Sequence, residues 1–525
     1  MLATRTQIKT NFQQPVKGAA TKNMKKNYSE MYLPGQFFII PNSNKIESTY
    51  EQIALEKNTI YIESNVKYLK VIDNKNRQIG VFIGLVIDYR NEVILTSSVK
   101  VDFSLQNDEI FINKLEEFIY GFSGSWLFIF DVAEYQRVYL DACGSYSLVY
   151  SRDKQIASSS TCLILDQNEY ESEFDKNLFI SLEVNKSGWF PAGLTAHKNI
   201  FRLFCNHYLD LNKWESIRHW PNKEINSSEP LPKIAYNIHT AIQRSIKALT
   251  KNGQVALTLT GGKDSRLILA CCKEFIADLT LVTIDFPSRE KDVFISKKLS
   301  TKFGFNHLVL PPVKATDEQQ NDWLIKVSHC VGGINQYYSP SLEPLKEICK
   351  FLIVGTAGEI GRAFLWRSSD TLETVISSNE LIARLGLDNN NHILKTSVDK
   401  WLEEVKNFNL FLILDLAYAE LRVSPWVFAQ SYAYEGRDKF IEISPFVCRE
   451  VIENLLSLPQ EIRKNDIWIP YIIKTNWQEL LDIPFNKYGG INDLYDYIIK
   501  MFEPGKIKMK LRKTLIARLS RLIKI

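Results

Sequence analysis

The residues best placed to do chemistry lie at 260–265, Thr-Gly-Gly-Lys-Asp-Ser, where an apolar β-forming run (VALTL, 255–259) ends and helix-type sequence begins. Two glycines between a strand and a helix leave backbone N–H groups pointing at one spot beside the positive helix end, which suits phosphate or pyrophosphate. The spacing is not that of a P-loop, because Lys263 directly follows the second glycine and no G-x-x-x-x-G-K-[ST] string is present. Nor is it a dinucleotide fingerprint, for want of G-x-G-x-x-G. Arg266, just beyond Ser265, carries a planar fork able to reach a carboxylate or phosphate. A second turn, Gly355-Thr356-Ala357-Gly358-Glu359, follows another apolar run, FLIV at 351–354. An acid such as Glu359 is also favoured at a helix N-terminus by the dipole alone.

The elements that must position these turns are legible as changes of period. Ile234, Ile238, Ile242, Ile246 and Leu249 recur at helical spacing, which predicts an amphipathic helix over 233–250. Strand VALTLT, helix 264–277, strand LTLVTIDF, helix 290–303 and strand HLVLPP follow. Strands alternating with helices argue for a parallel, doubly wound α/β sheet. Residues 372–481 read mostly as helix. Upstream, short β-rich runs such as NTIYIES, GVFIGLVIDYR, SWLFIFDV, QRVYLDA and SYSLVYSR predict a largely antiparallel sheet domain. The expected organisation is a leader at 1–30, a sheet domain at 31–215, a linker at 216–231, an α/β domain at 232–500 and a basic tail at 501–525.

The string at 260–265 resembles the pyrophosphate loop S-G-G-x-D-S of ATP pyrophosphatases, with Thr260 keeping the hydroxyl of the usual serine. The turn at 355–359 resembles the G-x-G-[AS]-D turn of the asparagine synthetase superfamily, which includes β-lactam synthetase-like and lasso-peptide-cyclase-like amide ligases. The resemblance implies ATP bound by Thr260, Gly261, Gly262, Lys263, Asp264, Ser265 and Gly355, and Mg²⁺ held by Asp264 and Glu359. Two carboxylates plus phosphate oxygens make a hard site of the kind Mg²⁺ prefers. Residues 281–310 look like the family's second strand and following helix, which implies that the backbone of Thr283 and Ile284 contacts adenine. Residues 443–463, followed by IPFNKYGG at 483–490, resemble the family's C-terminal end, so that Lys487 is implied to face the charge of phosphate departure. Residues 124–151 resemble the end of a class II glutamine amidotransferase-like (Ntn-like) sheet domain, with Asp141 and Gly144 at its Asp-x-x-Gly turn. The likeness covers most of residues 80–490 and is strong at the two glycine turns.

Two departures shape the expected function. A glutaminase of this class needs a cysteine as residue 1 of the mature chain, whereas this chain starts Met1-Leu2 and its first cysteine is Cys143. The sheet domain is therefore expected to be a scaffold without glutaminase activity. Thr356 stands where asparagine synthetases have a carboxylate and lactam-forming relatives a tyrosine base, and threonine cannot take a proton near neutral pH. His307 and Glu290 are candidates to replace that base, but a structural or solvated role is the favoured reading of each and neither is assigned the task. Together these features favour a ligase that adenylates a carboxylate at the expense of ATP, releases pyrophosphate and passes the acyl group to an amine. The substrates would be an amino acid, peptide or sugar derivative. An ammonia- or glutamine-dependent asparagine synthetase-type enzyme and a non-catalytic scaffold are the alternatives.

Charge narrows the partners. With 64 basic and 60 acidic residues the net charge is +4, yet from Pro504 onward there are eight basic residues, Lys506 to Lys524, and no acid. The rest is mildly acidic, so no nucleic-acid partner is expected. Leu511, Leu515, Leu519 and Leu522 line one face of that tail, which suits an anionic membrane surface or an acidic partner protein. The eight cysteines form no C-x-x-C pair and no zinc spacing, as for reduced thiols in the cytoplasm. The N-terminus shows no secretory pattern and no apolar run is long enough to span a bilayer, so a cytoplasmic location is expected.

Overall fold

Alternating β-branched and aromatic residues in the first part of the chain pair into two sheets, because each strand must bury one face and these bury it against one another. The computed structural model describes residues 36–44, 48–103, 109–186, 188–226, 229–430, 440–489 and 493; the expected leader at 1–30 and tail at 501–525 lie outside the described residues. The first sheet joins β1 (Phe37–Pro41), β2 (Glu51–Ala54), β3 (Asn58–Ile62), β10 (Val149–Ser151), β11 (Ile156–Ser158) and β12 (Phe201–Arg202), all antiparallel, in the order β12-β10-β11-β1-β3-β2. The second runs β14-β13-β9-β8-β5-β4-β7 and is built from β4 (Tyr68–Ile72), β5 (Gln78–Asp88), β7 (Val99–Lys100), β8 (Ser123–Val132), β9 (Tyr135–Leu140), β13 (His207–Asp210) and β14 (Glu215–Arg218). It also carries β6 (Val93–Ile94) beside β5, and its one parallel pair is β4 with β7.

β8 explains why its sequence, SGSWLFIFDV, lacks polar alternation: all ten of its residues are buried. Leu127 and Ile129 face the first sheet with Phe37, Ile39, Ile60, Val81 and Ile83. Trp126, Phe128 and Phe130 pack on the other side with Phe82 and with Phe111, Leu115 and Ile119 of α1 (Glu109–Tyr120). Each such fully buried side chain contributes about 2 kcal/mol. Asp141 organises the turn after β9, accepting from the backbone N–H of Cys143, Ser145 and Tyr146 at 3.1, 2.9 and 3.0 Å and from the Ser145 hydroxyl at 2.7 Å. Gly144 in that turn has φ 64.

The second half folds around five parallel strands: β15 (Val255–Thr258), β16 (Leu279–Ile284), β17 (His307–Leu310), β18 (Phe351–Ile353) and β19 (Ile441–Ile443), in the order β17-β16-β15-β18-β19. The chain first winds outward from β15 to β17, then returns to the other side of β15 for β18 and β19. The direction reverses between β15 and β18, and ligands in open parallel sheets bind outside the strand ends at such a reversal. Both glycine turns sit there. The helices expected at 233–250, 264–277 and 290–303 are α2 (Leu231–Thr250), α3 (Lys263–Cys271) and α4 (Glu290–Phe303), the second giving way to a 3₁₀ turn at Lys273–Asp278. Gly304, with φ 70, ends α4. α5 (Leu410–Ala417) runs directly into an eleven-residue π-helical segment, Tyr418–Phe428, that contains Pro425; π-helical turns are rare and occur often at functional sites. α6 (Arg449–Ser457) and α7 (Trp468–Trp477) complete the cover.

The stretch read as a linker starts inside the fold. β14 pairs with β13 as far as Arg218, and Arg218 makes a two-pronged ion pair with Glu420 at 2.8 and 2.8 Å. Asn206 Nδ2 and Trp401 Nε1 donate to the same carboxylate at 2.7 and 2.6 Å. One apolar core runs from Leu85, Ile87 and Cys143 of the antiparallel part to Ile234, Ile238 and Ile242 of α2. Residues 32–485 accordingly form one compact unit, and Asn486 begins a second. Among the described residues, no helix is long and apolar enough to cross a membrane.

Candidate functional site

β15 delivers the first turn and α3 leaves it, with Gly262 as an extended N-cap at φ −75, ψ 178. The Thr260 and Ser265 hydroxyls bond each other at 2.9 Å, and the Ser265 hydroxyl also accepts from the Thr260 N–H at 3.2 Å. Two amides expected to face an anion already have acceptors. The Gly261 N–H donates to Asp292 Oδ1 of α4 at 2.9 Å, and the Gly262 N–H to Thr260 Oγ1 at 3.2 Å. An entering phosphate would exchange with those oxygens. Gly261 packs on α4 so closely that a Cβ there would lie 2.6 Å from Ile295 Cδ1.

The second turn seats itself on the first through Asp264. A Cβ on Gly355 would come 3.1 Å from Asp264 Cβ and 3.2 Å from Ser265 N, a tight fit that would require those neighbours to shift by a few tenths of an ångström. One on Gly358 would lie 2.8 Å from the Phe446 ring and 3.0 Å from Asp264 Oδ1. Between them Ala357 adopts φ 72, a left-handed conformation that costs a non-glycine residue roughly 1–2 kcal/mol. The carbonyl of Thr356 accepts from the Ser444 hydroxyl, which fixes the turn against the end of β19.

The charges meet at this junction. Asp264 Oδ2 receives Arg362 Nη1 at 3.2 Å, while Asp264 Oδ1 is buried with no hydrogen-bond partner. Burial raises the Asp264 carboxyl above its ordinary value, against the pull of Arg362. Glu359 goes further: burial, and then the charge of Asp264, push it up to about 7, with Arg362, Arg422 and the Tyr418 hydroxyl opposing. Asp466 bridges two cations, taking Lys263 Nζ at 2.7 Å and Arg362 Nε at 3.3 Å. The π-helical segment supplies Tyr418, stacked on Phe364 with ring centroids 5.2 Å apart, and Arg422, held between the Trp189 and Trp426 rings at 4.9 and 4.7 Å. Trp189 comes from the antiparallel part and donates to the Leu421 carbonyl at 2.7 Å.

Asp264, with its orphaned buried oxygen, and Glu359, with an elevated pKa beside it, fit a hard divalent cation that completes its shell with phosphate oxygens. Among the described residues, no three His, Cys, Asp or Glu side chains are arranged to hold a metal by themselves.

The other expected residues are distributed as follows. Thr283 is buried near the end of β16, its hydroxyl bonded to the Leu259 carbonyl at 2.6 Å and to His307 Nε2 at 2.9 Å; Ile284 is the last residue of that strand. That bond and burial, which lowers the imidazole pKa, make His307 a member of the sheet. Glu290 is exposed in the first turn of α4. Arg266 corrects an expectation: it is fully buried, donates to the carbonyls of Leu480 and Ile483, and lies 4.4 Å from the Phe485 ring, so it secures the segment after α7 and reaches no anion. Lys487 is exposed and belongs to the second unit, where Tyr488 N and Gly489 N donate to Asp493 at 2.7 and 3.0 Å. Arg362, Asp466, Asp292 and Tyr418 carry the site's charge and shape without having been singled out. Arg362 alone had a local signal, three residues beyond Glu359 in the same turn.

No protein-family model matches the chain, and no curated protein matches it in sequence. Among solved structures it is similar to a glutamine-dependent NAD⁺ synthetase from Acinetobacter baumannii in complex with ADP, at 14% identity and a TM-score of 0.18, over 31% of this chain and 32% of that one. An NH₃-dependent NAD synthetase from Campylobacter jejuni, in complex with nitrate, is similar at 14% identity and a TM-score of 0.19, over 37% of this chain and 93% of that one. The chain thus spans about a third of the length of the first. Its function is read from the site itself.

Proposed function

We propose that this protein is an ATP-dependent ligase that activates a carboxylate as its acyl-adenylate, releases pyrophosphate, and transfers the acyl group to an amine. The observation that carries the reading is Asp264: a carboxylate wedged between two glycine turns at the reversal of a parallel sheet, with one buried oxygen unpartnered. Thr260, Gly261, Gly262, Lys263, Ser265 and Gly355 would cradle the β- and γ-phosphates at the N-terminus of α3. Asp264 and Glu359 would hold Mg²⁺, which when bound supplies positive charge against the departing pyrophosphate. The ends of β15 and β16, with the backbone of Thr283 and Ile284, would form the wall against which adenine lies. Lys487 enters this reading only through the family resemblance.

The amine has no base at Thr356, so it must arrive unprotonated or lose its proton elsewhere. Sulfur transfer, a rival chemistry for such loops, needs a reactive thiolate. All eight cysteines are free, seven are buried and Cys162 is half-buried, and burial raises every one of these thiols. The same burial argues against a glutaminase nucleophile among them. The carboxylate and amine substrates are of the amino-acid, peptide or sugar-derivative class.

The test is release of pyrophosphate and AMP from Mg²⁺-ATP in the presence of pools of amino acids, peptides and acidic sugars. Release that depends on one pool and disappears in Asp264→Asn is the expected result. A wild-type protein that binds no ATP would leave the scaffold alternative.

A further inference from the structure

Arg362 ends the 3₁₀ turn Gly358–Arg362, which begins at the glycine packed on Asp264. Its guanidinium is divided between two acids, with Nη1 3.2 Å from Asp264 Oδ2 and Nε 3.3 Å from Asp466 Oδ1, and its Nη2 makes no hydrogen bond among the described residues. Neither contact is the short, parallel, two-pronged pair that arginine forms with a carboxylate when geometry permits. Arg384 shows that pair elsewhere in the chain, meeting both oxygens of Asp370 at 2.6 and 2.8 Å. Phe364 flanks Arg362 with its ring centroid 4.8 Å from the guanidinium carbon, and the side chain is 18% exposed. Asp466 is steadied from the other side by Lys263 at 2.7 Å and adopts φ 54 in the turn before α7.

Asp264 thus has two claimants. Arg362 holds only Oδ2 and leaves Oδ1 open, so a divalent cation that spreads over both oxygens of Asp264 would displace Nη1 from Oδ2, while the bond to Asp466 stays open to Arg362 in either case. A guanidinium released from one carboxylate beside a triphosphate matches phosphate oxygens with the same planar fork. Resting on the ligase reading above, we propose that Arg362 is a phosphate-binding catalytic residue. In the absence of nucleotide it occupies Asp264; when the metal–nucleotide arrives it passes from Asp264 to the leaving pyrophosphate, tethered throughout by Asp466. No covalent bond changes in this step. One cation replaces another on Asp264, and the displaced charge moves onto the group that gains negative charge as the adenylate forms.

The experiment separates the two halves of the exchange, using Mn²⁺ as the metal probe and Mg²⁺-ATP as the nucleotide. Electron paramagnetic resonance measures Mn²⁺ binding without nucleotide, and calorimetry measures ATP binding, for wild type, Arg362→Met and Arg362→Lys. Arg362→Met is expected to bind Mn²⁺ alone about tenfold tighter and ATP about tenfold weaker, with Arg362→Lys between the two on both scales. Opposite movement of the two affinities is the signature, because a residue that merely braces the turn would weaken both. Unchanged Mn²⁺ affinity, or weakening of both ligands, overturns the proposal. Should Arg362→Met fail to fold, Arg362→Lys decides, since a point charge cannot span Asp466 and phosphate as a fork does. Wild-type protein that binds ATP while Arg362→Met binds it equally well overturns this proposal alone. Wild-type protein that binds no ATP overturns the ligase reading with it.

Discussion

Glu420 is buried and Glu359 is half-buried, and the protein treats them in opposite ways. Burial pushes each carboxyl up. At Glu420 the two-pronged pair with Arg218, with help from Asn206 and Trp401, more than offsets it and holds the group down at about 2. At Glu359 the strongest influence after burial is another carboxylate, Asp264, and the group rises to about 7. The first region joins the antiparallel sheets to the helices behind the parallel sheet, where a closed network rewards a fixed geometry. The second lies at the strand ends, where charges are left incompletely paired, as at a site built to receive a charged ligand. The difference is between an acid closed into an ion-pair network and one set beside a second, incompletely paired carboxylate.

The largest expected effect lies on the chemical side. Asp264→Asn removes the charge proposed to hold Mg²⁺ at nearly constant shape, and pyrophosphate release is expected to fall by roughly 10³-fold or more with the melting temperature little changed. An equal loss of fold and turnover would instead make Asp264 a structural acid like Glu420. Next comes the junction. Glu420→Gln leaves buried Arg218 with only the longer 3.6 Å pair to Glu404 and is expected to cost about 3 kcal/mol in urea unfolding, without altering ATP affinity in the folded fraction.

The two acids should also answer pH in opposite directions. The ordinary glutamate value is 4.5. Since the folded pKa of Glu359 lies above it, the stability from this group is full below 4.5 and is lost as pH rises through about 7. For Glu420 the contribution is present above 4.5 and is lost as pH falls through about 2. Thermal melts at pH 5 and pH 8 should therefore show Glu359→Gln gaining on wild type at the higher pH, while Glu420→Gln stays below wild type at both. If Glu359 is a Mg²⁺ ligand as proposed, its ionised form is the one that binds, and Mg²⁺ affinity in the presence of ATP should rise about tenfold from pH 6 to 8 in wild type. A flat profile in wild type would remove Glu359 from the metal site.

The smallest functional effect is expected at Arg266. Arg266→Met leaves the carbonyls of Leu480 and Ile483 without their donor, so unfolding should cost about 2 kcal/mol while turnover stays within about threefold. A hundredfold loss of turnover at constant stability would restore Arg266 to the anion site.

How far these regions were legible follows from how local their causes are. The register of Ile234, Ile238, Ile242, Ile246 and Leu249 required α2, and every one of them is buried. The glycine turns were legible because strand, turn and helix are neighbours along the chain. Arg266 was misread for a reason the helix itself contains: two residues after Asp264 it is rotated by about 200° around α3, which turns it toward the core. The bond from Gly261 to Asp292 spans 31 residues, that from Lys263 to Asp466 spans 203, and that from Arg218 to Glu420 spans 202. No period or motif records such pairings.

By itself, then, the sequence determined where strands alternate with helices, that a parallel α/β part follows an antiparallel one, and where a glycine turn joins strand to helix. Those outcomes depend on backbone preference and on the spacing of apolar residues, both properties of a few consecutive positions. Only the tertiary structure decided that the two glycine turns close on one carboxylate, that Arg362 and Lys263 share Asp466, and that one glutamate is held ionised while the other hovers near neutrality. Charge pairing and desolvation depend on distance in space, and the folding of β18 back beside β15 is what brings residues nearly a hundred positions apart within reach of each other.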